Sequence, residues 1–258
     1  MGKIISDKRY GGFLWHFVIV VPFIGFSLLI MKFLSGTSWF IVSSVLRIIF
    51  GAAILAVVAK LFEKRPAEVL SLKNTGKALV AGAGFILLLL YEIVTVATGF
   101  GGFTGLTVGL FVTKILLQQI TTGFYEELAY RFLLLEGLKH TKNKVSTKLI
   151  YVLISSVLFG VLHCIPTWDT YTFLRTAAMG IGFAVIFVKS GNIVVPMVLH
   201  FLYDVAVKIA VHTEWNDSDI FTSLSSVFEI VLVVMVVISL VMLFVRAGES
   251  ERVNGAAS

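Results

Sequence analysis

Eight apolar runs, each close to the length needed to cross a bilayer, constrain this chain more than any other feature. They lie at 13–34, 39–62, 78–99, 105–137, 149–166, 172–188, 193–211 and 220–246. A helix rising about 1.5 Å per residue needs about 20 apolar residues to span a hydrocarbon core about 30 Å thick. Hydrophobic residues make up 58% of the 258 and charged residues only 14%, against about 25% charged in an average soluble chain. A soluble core of this size cannot hide that much apolar surface. The predicted fold is an all-α membrane protein, a polytopic bundle of about eight transmembrane helices. It reads as one integral membrane domain over 1–258, with N-terminal spans at 1–104, a core at 105–211, and an outer loop, last span and tail at 212–258. Lys3, Lys8 and Arg9 precede the first run, which lacks a small-residue cleavage site, so a retained helix is expected rather than a removed signal.

The connecting segments set an orientation. Lys64, Arg65, Lys73 and Lys77 follow the second run, and Lys139, Lys142, Lys144 and Lys148 follow the fourth. Lys189 follows the sixth, and Arg246 and Arg252 follow the last. The alternate loops SGTS, GGFTG, PTWDTYT and HTEWNDSD hold no Lys or Arg. The positive-inside rule then places both termini in the cytoplasm of a multi-pass cell-membrane protein. The net charge of +6 needs no nucleic-acid partner; basic loops beside an anionic leaflet account for it. The single cysteine, Cys164, excludes an internal disulfide, and an apolar setting makes it a poor nucleophile.

Ionisable residues inside a membrane are costly, so each is a site hypothesis. The fourth run carries Lys114, Gln118, Thr122 and Glu126 at four-residue spacing, one drifting helix face. The bland reading is a polar seam that holds helices together. In TTGFYEELAYRFLLLEGL, Glu127 and Arg131 are four apart with the acid first, the favoured order for a helical ion pair. Glu126 is turned about 100° away, without that partner, and is free to exchange a proton. His16, His140 and His212 read as packing or loop residues. His163 ends SSVLFGVLH, and His200 precedes Asp204 by four residues in VPMVLHFLYD. Counted from the basic loops, Glu126, His163 and His200 lie about 20, 22 and 16 Å deep by the helical rise. A Glu, His, His and Asp at one depth are the ingredients for activating water. Glu92 falls in the same layer, as a neighbour of the site or as a structural hydrogen-bonding group. Arg47, Arg175, Lys208 and Glu229 read as interhelical pairs or side chains reaching the interface.

EELAYR (Glu126 to Arg131), FGVLH (Phe159 to His163) and HFLYD (His200 to Asp204) resemble the three motifs of the CAAX protease and bacteriocin-processing family: EExxxR, FxxxH, and HxxxN or HxxxD. Pro196 before the last motif is also similar to that family. The resemblance covers about 120–205. It implies an intramembrane endopeptidase of about eight helices, with Glu126 activating water, His163 helping to hold it, and His200 and Asp204 stabilising the oxyanion. Glu127 and Arg131 are implied to be supporting. Some members are described as metalloproteases and a metal-free route is also argued, so zinc held by Glu126, His163, His200 and Asp204 is an expectation to test. No HExxH is present.

Many family members carry Asn where this chain has Asp204. An amide donates to an oxyanion and an ionised carboxylate does not. A charged Asp204 is expected to orient His200, ligate a metal or pair with Lys208; an Asp204 kept protonated by its surroundings can still donate to the oxyanion. The expected substrate is a peptide or membrane protein entering a cavity open to the cytoplasm or inner leaflet. The alternatives are a non-catalytic scaffold with a membrane partner protein, bacteriocin self-immunity, and a proton-coupled transporter; matching halves that would favour transport are absent from the sequence.

Overall fold

A computed structural model describes residues 6–8, 10–137, 145–216 and 218–245. Lys3, Arg9, Lys139, His140, Lys142, Lys144, Arg246 and Arg252 lie outside them. The helices are α1 (Gly11–Met31), α2 (Gly36–Leu61), the short α3 (Pro66–Val69), α4 (Thr75–Ala81) and α5 (Ala83–Gly99). Next come α6 (108–136), α7 (Val145–His163), α8 (Thr170–Ser190), α9 (Val194–Val211), α10 (Asp219–Ser225) and α11 (Phe228–Phe244).

Among the described residues, α1, α2, α7, α8 and α9 are long and apolar enough to cross a bilayer alone. Counting the bent pairs α4–α5 (72°) and α10–α11 (49°) as one span each gives seven. The expected span at 105–137 is α6, an unbroken helix in which π-helical turns at Phe111–Leu117 and Glu127–Leu133 interrupt the α-helix. Its polar ladder and π turns set it apart from those seven. The outer surface is apolar, with Val21, Ile49, Ile230, Val233 and Val241 all exposed, as lipid-facing positions require. The molecule is a multi-pass helical membrane protein.

One feature was not foreseen. Phe100–Phe103 (β1) pairs antiparallel with Thr213–Trp215 (β2), a two-stranded ribbon that joins the ends of α5 and α9. Thr104 N–H donates to the His212 carbonyl at 2.8 Å beside it. The opposite end of the bundle is held by polar ties: Lys8–Glu63 at 3.1 Å, Lys64–Glu136 at 2.5 Å and Asn192 Nδ2 to the Lys73 carbonyl at 2.8 Å. The two ends of the bundle therefore differ in chemistry, ribbon at one and basic side chains at the other.

The middle of the molecule is α6. Residues 125–137 are buried without exception, and α6 packs on α2, α9 and α1. Gly123 makes a close approach of α6 to α9 possible. A Cβ there would lie 2.9 Å from the Met197 carbonyl oxygen of α9, and only a residue without one lets two helices meet so closely. That contact brings the following glutamates within reach of α9. On the other side, α9 starts from a tight turn in which Gly191 takes φ 69° and Asn192 Oδ1 accepts from Val195 N–H at 2.9 Å. Asp169 caps α8, accepting from Thr172 N–H at 2.9 Å and its hydroxyl at 2.5 Å; these bonds hold its carboxyl below the usual range.

Gly123→Val is expected to force α6 from α9 and destabilise the bundle by about 1–3 kcal/mol, the usual range for overpacking. Thermal unfolding in detergent would measure it, and an unchanged melting temperature would contradict the close contact.

Candidate active site

The EExxxR motif straddles the start of the second π turn. Glu126 ends an α-helical stretch and Glu127 begins the π turn, so the two carboxylates leave the helix in different directions. Glu127 is fully buried. Its Oε2 lies 3.3 Å from Arg131 Nε, the expected pair. Its Oε1 also accepts from His200 Nδ1 at 2.9 Å, a contact the sequence did not announce. The Arg131 guanidinium, likewise fully buried, lies 4.1 Å from the Phe159 ring centre and 5.1 Å from that of Phe183. Such faces stabilise a desolvated cation.

Glu126 meets the imidazoles instead. Its Oε2 is 3.9 Å from His163 Nε2 and 3.8 Å from His200 Nε2, and it makes no hydrogen bond to the protein. Each ring is fixed through its other nitrogen. His163 Nδ1 donates to the Phe159 carbonyl at 2.8 Å, so in the neutral ring Nε2 carries the lone pair. His200 Nδ1 is held by Glu127, and its ring stacks on Phe183 at 4.8 Å. Asp204 Oδ2 lies 3.5 Å from His200 Nε2. The structure thus brings Glu126, His163, His200 and Asp204 around one point. His163, His200 and Asp204 border a cavity of about 390 Å³ between α8 and α9 whose wall includes Phe159, Arg175 and Lys208; Glu126 stands behind the two imidazoles, 3.9 and 3.8 Å from their Nε2 atoms.

The donor set does not fit zinc. Ligands about 2 Å from a tetrahedral ion are about 3.3 Å apart, and Glu126 Oε2 stands 3.9 and 3.8 Å from the two imidazole nitrogens. Among the described residues no group of three His, Cys, Asp or Glu side chains is arranged to hold a metal.

Several residues sit where the sequence did not put them. Arg47, read as an interhelical pair or a side chain reaching the interface, is turned inward. Its Nε and Nη1 are buried with no hydrogen-bond partner, and Glu126 and Asp204 are the nearby carboxylates whose charge acts on it. An arginine in the middle of an apolar run is itself the signal that marks it. Glu92 is apart from the Glu126 cluster; it lines a second cavity of about 330 Å³ with Tyr91, Arg175 and Glu229. Arg175 donates to the Tyr203 hydroxyl at 2.8 Å and Glu229 accepts from Tyr171 at 2.5 Å. The polar ladder disperses: Lys114 Nζ bonds His212 Nε2 at 3.0 Å, and Gln118 reaches Ser43 at 3.4 Å. His16 packs under the site, its Nδ1 on the Ala129 carbonyl at 3.0 Å.

The carboxylates and imidazoles of the three motifs form one buried cluster within a multi-pass helical bundle. Residues 107–206, which carry all three motifs, match the family model described as type II CAAX prenyl endopeptidase Rce1-like. That segment is similar to the family, and the match covers the stretch in which the motif resemblance lies. No curated protein and no solved structure matches the chain.

Removing Arg131 should leave Glu127 buried and uncompensated. Arg131→Met is expected to cost about 3–5 kcal/mol, and the double variant Glu127→Gln, Arg131→Met to recover much of it. Melting curves of the purified variants decide this; a single variant as stable as the parent would refute the buried-pair account.

Proposed function

We propose that this protein is an intramembrane endopeptidase of the cell membrane, hydrolysing a peptide bond of a membrane-associated protein or peptide with a water activated by Glu126. The observation that carries the reading is the gap around Glu126 Oε2: an oxygen with no protein hydrogen bond, 3.9 and 3.8 Å from two imidazole nitrogens. Those separations are too long for hydrogen bonds and right for one water about 2.8 Å from each polar atom. The match of 107–206 to an endopeptidase family supports the same class.

The water donates one proton to Glu126 and the other to the Nε2 lone pair of His163. Glu126 takes its proton as the oxygen attacks the scissile carbonyl carbon. The carbonyl becomes a tetrahedral oxyanion. Collapse expels the amine, which takes the proton from Glu126. His200 sits among three carboxylates: Glu127 at 2.9 Å from Nδ1, Asp204 at 3.5 Å and Glu126 at 3.8 Å from Nε2. That setting favours a second proton on its ring. His200 then holds Nδ1–H on Glu127 and turns Nε2–H toward the oxyanion. This gives Asp204 a role a carboxylate can fill: it keeps the imidazolium in place, and His200 does the donating. Arg47, with two free donors near Glu126, adds positive potential where the negative charge develops.

The rest of the chain is read as one integral membrane domain of eight crossings, with α6 as the crossing outside the seven, the core at 105–211 and both termini in the cytoplasm. The basic segments gathered at one end of the bundle support that orientation.

Glu126→Gln preserves shape and removes the base. Cleavage is expected to fall by about 10²–10⁴-fold with the melting temperature unchanged. Membrane and secreted peptides from cells carrying the parent or the variant at equal abundance, compared by mass spectrometry, provide the test. A new peptide terminus present only with the parent supports the proposal. Restoration of a deletion phenotype by the variant would replace it with a scaffold or immunity role.

A further inference from the structure

The cavity beside Glu126 has a direction. On α8 it is lined from Phe183 at its floor up to Thr172 and Tyr171, and on α9 from His200 up to Lys208. In each case the wall runs from the inner residue toward the end of the bundle that carries the ribbon. His163, the last residue of α7, stands on the same side. In the other direction the way is closed. Arg131, Phe132, Leu133 and Leu135 of α6 are buried below the site, and Glu136 is tied to Lys64.

The two ends of the bundle also differ in charge. Lys64, Arg65, Lys73, Lys77, Lys148 and Lys189 belong to the closed end. At the ribbon end the described connecting segments hold one cation, Lys32 at the end of α1; Lys114, Arg175 and Lys208 lie inside α6, α8 and α9 within a turn or two of that end. The acidic residues Asp169, Glu214 and Asp219 lie there too. Short basic segments stay in the cytoplasm, so the open end faces away from it. By that rule the cavity would open opposite to the side expected from the sequence, the cytoplasm or inner leaflet.

We infer that the site receives its peptide from the extracytoplasmic face: the substrate is an exported peptide, or the outer juxtamembrane segment of a membrane protein, entering between the first turns of α8 and the last turns of α9. The identity of the occupant as a peptide rests on the endopeptidase reading; the side of entry does not.

Cysteine labelling separates the two. In a Cys164→Ser background, Thr172→Cys and Lys208→Cys place a thiol on the cavity wall by independent substitutions, and Lys73→Cys places one at the basic end. Right-side-out bacterial spheroplasts are treated with a membrane-impermeant maleimide before and after permeabilisation. The expected result is labelling of Thr172→Cys and Lys208→Cys in intact spheroplasts, and of Lys73→Cys only after permeabilisation. Labelling of both wall positions no faster than Lys73→Cys in intact spheroplasts, or no labelling of them in either state, overturns the inference. Adding Glu126→Gln leaves this readout intact, so an inactive protein and a cavity facing inward give different outcomes.

Discussion

The carboxylate of Glu127 lies wholly inside the bundle and meets two partners at once: Arg131 at 3.3 Å on its own helix and His200 at 2.9 Å on α9. In a medium that cannot solvate ions, neither Glu127 nor Arg131 is tolerable alone. Arg131 in turn rests against Phe159 of α7 and Phe183 of α8. One ion pair therefore fixes the mutual position of four helices. It also fixes which nitrogen of His200 is spoken for. The order of the sequence, two adjacent acids and then an arginine, is the local cause: a partner four residues on serves the second acid, and the π turn beginning at that acid separates it from the first.

Glu126 is left out of that arrangement, which suits the role proposed for it. Adjacent carboxylates on one helix point to different neighbours, and the neighbours of Glu126 are two imidazoles held back by other bonds. His163 is committed to a backbone carbonyl and His200 to Glu127. Neither ring can swing to close the last ångström to Glu126 without losing its anchor. The gap is thus enforced by surrounding structure rather than by loose packing, which is the condition for a preorganised site. Gly123 is a further requirement, since the approach of α6 to α9 sets the reach of both glutamates.

Much of this was legible in the sequence because membranes make polar residues conspicuous. The Glu127–Arg131 pair followed from spacing alone, and equal depth below the basic loops anticipated that Glu126, His163 and His200 would share a layer. What was hidden had nonlocal or geometric causes. The His200–Glu127 bond spans 73 residues of sequence, and no helical spacing encodes it. The inward turn of Arg47 depends on how α2 lies against α6. The π turns of α6 look like any apolar helix on paper, and the regular four-residue ladder assumed a period they break: Lys114 ends on His212 and Gln118 on Ser43, away from Glu126. The ribbon escaped notice because FGGF and TEW are too short to read as strands.

That ribbon constrains how a substrate can approach. A strand pair has open edges, and unsatisfied backbone groups are not tolerated in hydrocarbon, so β1 and β2 mark the polar boundary at the cavity's mouth. Trp168 and Trp215 are exposed at the same level, where aromatic side chains favour the interface. From Val211 at that boundary back to His200 is eleven residues of helix, about 16 Å of depth. An extended chain advances about 3.3 Å per residue, so a peptide entering as proposed would need about five unfolded residues between α8 and α9 to reach the depth of His200. A folded domain is too wide for a cavity of about 390 Å³, and a helix rising only about 1.5 Å per residue would need twice as many residues to cover the same depth. On the proposed endopeptidase reading with entry from the ribbon end, this geometry would favour substrates that are unfolded near the membrane surface, and a transmembrane helix would have to unwind at that end first.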